Sequence, residues 1–230
     1  MKRYLITGAS RGIGRAIAEE LGAEDVTLLL HGRDTVALAE VCKAVKPRCG
    51  GVVRLIHDLA ITGGVSDLIA AVGSDPLDLL VNNAGIASVK PFGEITSVEW
   101  EQTLGVNVTA PFLLTQRFAP KMPPGASIVN ILSIAAKTGF PNWSAYCMSK
   151  FALEGFSQSV REELRSRKIR VINIYPAATN TSIWNNLEGD WPRNKMISPN
   201  DVASAVAYAL SRPAEVALEN ISLSNLTGNL

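Results

Sequence analysis

Short continuous apolar runs alternate along the chain with stretches whose apolar positions recur at helical spacing. The runs are residues 4–7, 26–30, 52–56, 77–81, 127–132 and 170–175, with 221–223 as a candidate last edge strand. Helical spacing marks residues 13–21, 36–45, 100–118 (with Pro111 inside it), 144–167 and 199–210. The last of these opens on Pro199, with Ser198 placed to cap it. A strand that is apolar at every position has to be covered on both faces. Strands alternating with helices therefore predict an α/β fold, a doubly wound parallel sheet of about seven strands with helices on both sides. No repeat, low-complexity tract or linker-like shift interrupts the pattern. One core in 230 residues is a reasonable size, so residues 1–230 are expected to form a single domain.

Charge and cysteine usage narrow the function classes. Lys and Arg number 22 against 21 Asp and Glu, a net charge of +1. That balance offers no electrostatic drive toward a nucleic acid or a membrane surface, and neither partner is expected. No apolar run is long enough to span a bilayer, and Tyr4, Leu5 and Ile6 run straight from the N-terminus into a strand, so no signal peptide is expected. Three cysteines, Cys42, Cys49 and Cys147, form no disulfide framework and fit a reducing, cytoplasmic setting. Cys and His do not cluster at metal-ligand spacing, so no metal is expected.

The stretch Thr7-Gly8-Ala9-Ser10-Arg11-Gly12-Ile13-Gly14 follows the first strand and opens the first helix. Glycines there permit a tight turn and let backbone approach a pyrophosphate, while the helix N-terminus presents free N–H groups to the anion. Further along, Tyr146 and Lys150 are four apart on a predicted helix and so share a face. A free phenol, with a pKa near ~10, is a poor acid–base catalyst at neutral pH; a neighbouring ammonium lowers that value. Ser133, thirteen residues before Tyr146, ends a strand from which its hydroxyl can hold a substrate oxygen. Cys147 is rejected as a nucleophile, because its helical neighbour position points away and neither His31 nor His57 forms a recognisable Cys-His arrangement with it. Both histidines read as strand-end residues, with His31 a candidate neighbour of an adenosine.

Together these segments resemble the short-chain dehydrogenase/reductase superfamily in its compact single-domain form, over nearly the whole chain. The T-G-x-x-x-G-x-G spacing of the turn carries the resemblance, and so do Asp58-Leu59, Asn82-Asn83-Ala84-Gly85, Asn107, Ser133 and the Tyr146/Lys150 pair. The resemblance implies a Rossmann-type sheet and an oxidoreductase that moves a hydride between a nicotinamide and a carbonyl or alcohol. It implies catalytic roles for Asn107, Ser133, Tyr146 and Lys150, with Tyr146 as proton donor, Ser133 stabilising the substrate oxygen, and Asn107 holding a water that links Lys150 to solvent. Lys150 would also bond the nicotinamide ribose. Cofactor contacts would come from Gly8, Ser10, Arg11, Gly12, Ile13 and Gly14, from Asp58 and Leu59 at the adenine, and from Asn83, Ala84 and Gly85. After the sixth strand, Pro176, Thr179 and Thr181 would meet the nicotinamide side. The family's usual Pro-Gly is Pro176-Ala177 here, so that turn has to accept a Cβ. Pairing through the helices carrying Asn107 and Tyr146 implies a homodimer or homotetramer.

Cofactor choice turns on Leu30-His31-Gly32-Arg33-Asp34. An NAD site places an acid at the end of this strand to accept from the ribose hydroxyl. Gly32 stands there instead, with Arg33 next to it and Arg11 in the glycine turn, a pair suited to the 2′-phosphate of NADP (NADPH). Asp34 is expected to cap the following helix. Residues 182–197, rich in Asn and Trp, are expected to cover the substrate, a small carbonyl or alcohol compound. Ile134, Phe140, Trp143, Ile183 and Trp184 are candidate pocket residues that would serve equally well in a core. Two rivals stand beside the enzyme: a non-catalytic dinucleotide-binding regulatory protein of the same fold, disfavoured by the complete Ser133, Tyr146 and Lys150 set, and a sugar-nucleotide epimerase or dehydratase, disfavoured by the glycine spacing and short C-terminal region.

Overall fold

Leu5, Leu29, Leu80, Ile128 and Val171 point to one side of a sheet, and their chain neighbours Ile6, Leu30, Val81, Val129 and Ile172 point to the other. All ten are buried, so both faces must be covered, and in the computed structural model both are. The structure describes residues 1–187, 189–226 and 228. In chain order the regular elements are β1 (Lys2–Ile6), α1 (Gly12–Leu21), β2 (Val26–Gly32), α2 (Thr35–Val45), β3 (Gly51–Ile56), α3 (Gly64–Val72) and β4 (Leu79–Asn82). Then come α4 (Ser97–Leu104), α5 (Ala110–Phe118), β5 (Ser127–Ile131), α6 (Ser144–Arg165), β6 (Arg170–Pro176), α7 (Pro199–Leu210) and β7 (Asn220–Leu223).

The seven strands are all parallel, in the order β3-β2-β1-β4-β5-β6-β7. Helices α1, α2 and α7 cover one face through a cluster that includes Ile17, Leu38 and Val206. The other face packs on α3, α5 and α6 through Leu68, Leu114 and Leu164. The strand order reverses between β1 and β4, which opens a crevice at their C-terminal ends.

A polar row crosses the second face. Asn82 is paired in register with Asn130, Asn130 with Asn173, and Asn173 with Asn220. Asn82 Nδ2 donates to Asn130 Oδ1 at 2.8 Å, and Asn130 Nδ2 donates to Ser157 of α6 at 2.8 Å and to Asn173 Oδ1 at 3.3 Å. Asn173 donates to the Tyr175 hydroxyl, which lies 2.9 Å from Asn220 Oδ1 and donates to the Glu154 carboxylate. The inner face of α6 is correspondingly polar: Lys150, Glu154, Ser157 and Arg161 are buried at helical spacing, and each has a partner.

Two elements differ from the sequence expectation. Residues 100–118 are not one helix: α4 and α5 are separated by a π-helical turn, Gly105–Thr109. Pro111 follows directly on the π turn, in the first turn of α5, where the i→i−4 ladder is already interrupted. Helix α3 was not expected, although Val65, Leu68 and Val72 bury one face of it. Asp34 and Ser198 cap α2 and α7 as expected, accepting from Ala37 and Asn200.

Candidate active site

The cleft begins at the glycine turn. Thr7 Oγ1 donates to Val81 O at 3.1 Å and accepts from the backbone N–H groups of Asn83 and Ala84 at 2.9 and 3.0 Å. Asn83 Nδ2 returns to Thr7 O and Gly8 O at 2.8 and 3.1 Å. The turn after β1 and the segment after β4 are thus bolted together. Gly8 adopts φ +66°, and a Cβ there would stand 2.9 Å from Ala84 Cα, so only glycine fits. Gly14 does not reach the cleft; a Cβ on it would meet Gly8 O at 2.3 Å, so its task is to let α1 pack behind the turn. Helix α1 has no side-chain cap, whereas α2, α4 and α7 each have one. Its first-turn residues Gly12 and Ile13 border the cleft.

At one end of the cleft lie Ser10, Arg11, Arg33, Asp58 and Leu59. Arg33 approaches Asp58 at 3.9 Å, with both side chains partly exposed, a loose pair of little energetic weight. Gly32 leaves room beside Ser10, whose Cβ would be 3.2 Å from an added one. His31 and His57 also border this end. His31 is buried; burial lowers its pKa to about 4, so the ring is neutral at physiological pH.

At the centre stand Ser133, Tyr146 and Lys150. Ser133 follows β5, accepts from Ala135 N at 3.1 Å and lines the cleft together with Tyr146. Lys150, one helical turn beyond Tyr146, donates to Ile131 O at 2.8 Å, and its Nζ lies 5.6 Å from the centre of the Tyr146 ring. Burial lowers the Lys150 pKa to about 8. Burial also pushes the Tyr146 phenol up to about 12, against the lowering influence of the nearby Ser133 hydroxyl. The expected depression of the phenol by Lys150 is therefore not what this geometry produces: the ammonium is directed at Ile131 O, and desolvation dominates.

Asn107 does not border the cleft; it lies behind it on the π turn, fully buried. It accepts from Ile86 N at 2.9 Å and donates to Ile86 O and Ser149 Oγ at 2.9 and 3.0 Å. Gly85 separates it from Lys150: a Cβ on Gly85 would be 3.6 Å from Asn107 Oδ1 and 3.8 Å from Lys150 Nζ.

Beyond Tyr146 the cleft is apolar. Ile134, Phe140, Trp143, Ile183 and Trp184 line it as expected, joined by Ile86, Ala87, Leu187 and Trp191, which sequence reasoning did not single out. Pro176, Thr179 and Thr181 border it too. Ala177 is accommodated without left-handed backbone and donates to Leu223 O at 2.8 Å. The segment 182–197 leaves and returns at one point, where Thr179 and Ile197 form a parallel bridge; Glu188 within it lies outside the described residues. The whole cleft holds about 470 Å3. Among the described residues, no helix is long and apolar enough to cross a membrane.

The profile of the short chain dehydrogenase family matches residues 2–191. The chain belongs to that family. Its short-chain dehydrogenase relatives include a sepiapterin reductase of Chlorobaculum tepidum, 30% identical over 239 residues and covering 98% of this chain and 97% of that protein. Carbonyl reductase [NADPH] 2 of Sus scrofa is 30% identical over 226 residues, covering 91% of this chain and 88% of its own. Among solved structures, the landomycin C-6 ketoreductase LanV, with bound NADP and rabelomycin, superposes with a TM-score of 0.85 at 31% identity, covering 97% of this chain and 95% of that one. This short-chain dehydrogenase is accordingly an oxidoreductase of the Rossmann-like type.

Proposed function

We propose that this oxidoreductase reduces carbonyl compounds with NADPH and that Tyr146 is its proton donor. The observation that carries the reading is the placing of Ser133, Tyr146 and Lys150 together on the lining of one continuous cleft, between its glycine turn and its apolar end, with Lys150 Nζ 5.6 Å from the centre of the Tyr146 ring. The residues present fit the cofactor. The uncapped first turn of α1 and the bare Cα of Gly8 suit a pyrophosphate. Arg11 and Arg33 suit a 2′-phosphate, and no acid occupies the Gly32 position. The NADPH-named carbonyl reductase and the NADP-bound ketoreductase among the relatives support the same choice.

In the proposed mechanism the bound nicotinamide supplies the hydride. Gly8, Ser10, Arg11, Gly12, Ile13, Asn83, Ala84 and Gly85 hold the dinucleotide along the turn, with Arg33, Asp58 and Leu59 at its adenosine end. Pro176, Thr179 and Thr181 border its other end. Ser133 and Tyr146 hold the substrate oxygen between two hydroxyls, and Tyr146 gives it a proton as negative charge develops. Lys150, an ammonium below its lowered pKa of about 8 and anchored on Ile131 O, would bond the nicotinamide ribose beside the phenol. Asn107 holds Ile86 and Ser149 in place around Lys150. The chain would act as a single cytoplasmic domain and assemble through α5 and α6, where Phe112 and Phe151 are 41% and 47% exposed. The test is NADPH oxidation over a panel of ketones, aldehydes, diketones and quinones, with Tyr146→Phe as control. Activity in the panel that is lost in the variant supports the proposal. NADPH binding without turnover of any carbonyl points instead to a dinucleotide-binding regulator.

A further inference from the structure

Three indoles continue outward from Tyr146 as one aromatic wall. Trp143 meets the Tyr146 ring edge-on, with centroids 5.5 Å apart and planes at 65°. Trp184 and Trp191 follow at 5.7 and 6.1 Å from Trp143 and 4.8 Å from each other. Trp184 Nε1 donates to Thr179 O at 2.8 Å and Trp191 Nε1 to Leu187 O at 3.3 Å. Both donors are thus used on nearby backbone, and the ring carbons of Trp184 and Trp191 are what the cleft meets. Ile86, Ile134 and Phe140 complete this end. The charged side chains on the lining, Arg11, Arg33 and Asp58, belong to the glycine-turn end, and Lys150 is buried beside the phenol.

From this division we infer that the substrates are uncharged aromatic ketones, aryl or fused-ring compounds whose carbonyl meets Ser133 and Tyr146 while their rings pack on Trp143, Trp184 and Trp191. The inference rests on the reductase reading above. Ring-on-ring packing adds favourable energy beyond simple burial. A carboxylate or phosphate entering this end would lose its water without gaining a cation. A polyol would turn its hydroxyls toward ring carbons that cannot bond them. In the reduction, the carbonyl carbon gains a hydride from NADPH, which leaves as NADP+. The oxygen gains the Tyr146 proton, which solvent replaces.

The experiment compares kcat/KM with NADPH for α-tetralone and acetonaphthone against diacetyl, ethyl acetoacetate and pyruvate. The aryl ketones should lead by ~10-fold or more, the size of effect expected from one or two ring contacts. Trp191→Ala should shrink that ratio ~5-fold, and Trp191→Phe should keep it. In parallel, naphthol, which cannot be reduced, should quench the tryptophan fluorescence of the wild-type protein saturably in the presence of NADP+. If diacetyl or pyruvate matches the aryl ketones and naphthol does not bind, the aromatic assignment falls while the reductase reading stands. If no carbonyl compound is reduced by protein that binds NADPH, the reductase reading falls and takes this inference with it.

Discussion

His31 receives the backbone N–H of Gly8 on its Nδ1, at 3.4 Å. Its Nε2 lies 3.0 Å from His57 O, so the neutral ring, protonated on Nε2, braces the glycine turn against the end of β3. Burial lowers its pKa from 6.5 to about 4. A depressed folded-state pKa contributes stability that is complete above the unfolded value and is lost as pH falls toward the folded one. The window is therefore pH 6.5 down to about 4, and the loss is about 3 kcal/mol at most. Urea unfolding of wild type and His31→Gln across that range should show wild type losing stability faster. Parallel profiles would remove His31 from the account.

Tyr146→Phe should keep the fold and NADPH binding while losing turnover. General acid catalysis is typically worth ~100- to 10,000-fold, and the loss should appear in kcat. A variant within about threefold of wild type would falsify the proton-donor assignment, since that is far below the range for general acids.

Lys150 is held as an ammonium at a stability cost. Its pKa falls from 10.5 to about 8, so wild type should gain stability as pH rises from about 8 to 10.5. Lys150→Met should lack that rise. At neutral pH it should be more stable than wild type, by up to about 3 kcal/mol, yet nearly inactive. Thermal unfolding at several pH values, alongside NADPH turnover, checks both halves; a less stable variant contradicts the first.

Cofactor preference should reside in Arg11 and Arg33. Losing one Arg–phosphate contact should weaken NADPH binding by roughly 10- to 150-fold and leave NADH nearly unchanged. Gly32→Asp should shift preference toward NADH through attraction to one cofactor and repulsion of the other. The structure adds a condition: the new Cβ would sit 3.2 Å from Ser10 Cβ, so the double variant with Ser10→Gly should switch more cleanly. Ratios of kcat/KM for the two cofactors decide the matter. An unchanged ratio in Arg33→Ala and Gly32→Asp means that these residues do not read the phosphate.

Phe151→Glu, on the exposed side of α6, should reduce the assembly to monomers in sedimentation velocity. A variant that stays assembled moves the interface elsewhere.

The strands are legible in the sequence because parallel strands buried on both faces leave unbroken apolar runs. Tyr146 and Lys150 are legible because one helical turn separates them. What escapes is what depends on tertiary choice. The π turn that carries Asn107 has no signature in Gly105-Val106-Asn107-Val108, because one five-residue turn is too short to alter a helical period read over the whole stretch. The pKa of Tyr146 escapes for a similar reason: spacing shows that Lys150 is near, but not that its ammonium is directed at Ile131 O. Trp191 joins the wall through the path of the segment that carries it, closed by Thr179 and Ile197 and tied down by Arg193 on Asn180 and Thr181, none of which a local pattern reveals.

The row Asn82, Asn130, Asn173 and Asn220 also bears on how this sheet can change over generations. Asn130 makes both of the row's amide-to-amide bonds, so losing it leaves Asn173 Oδ1 without its amide donor and Asn82 Nδ2 with only a long bond to Thr115, at about 1–3 kcal/mol for a stranded group. Replacing adjacent members together by apolar residues removes both ends of a bond and is nearly neutral by comparison. Asn82, Asn130 and Asn173 are therefore easier to change together than singly, even though three separate strands carry them.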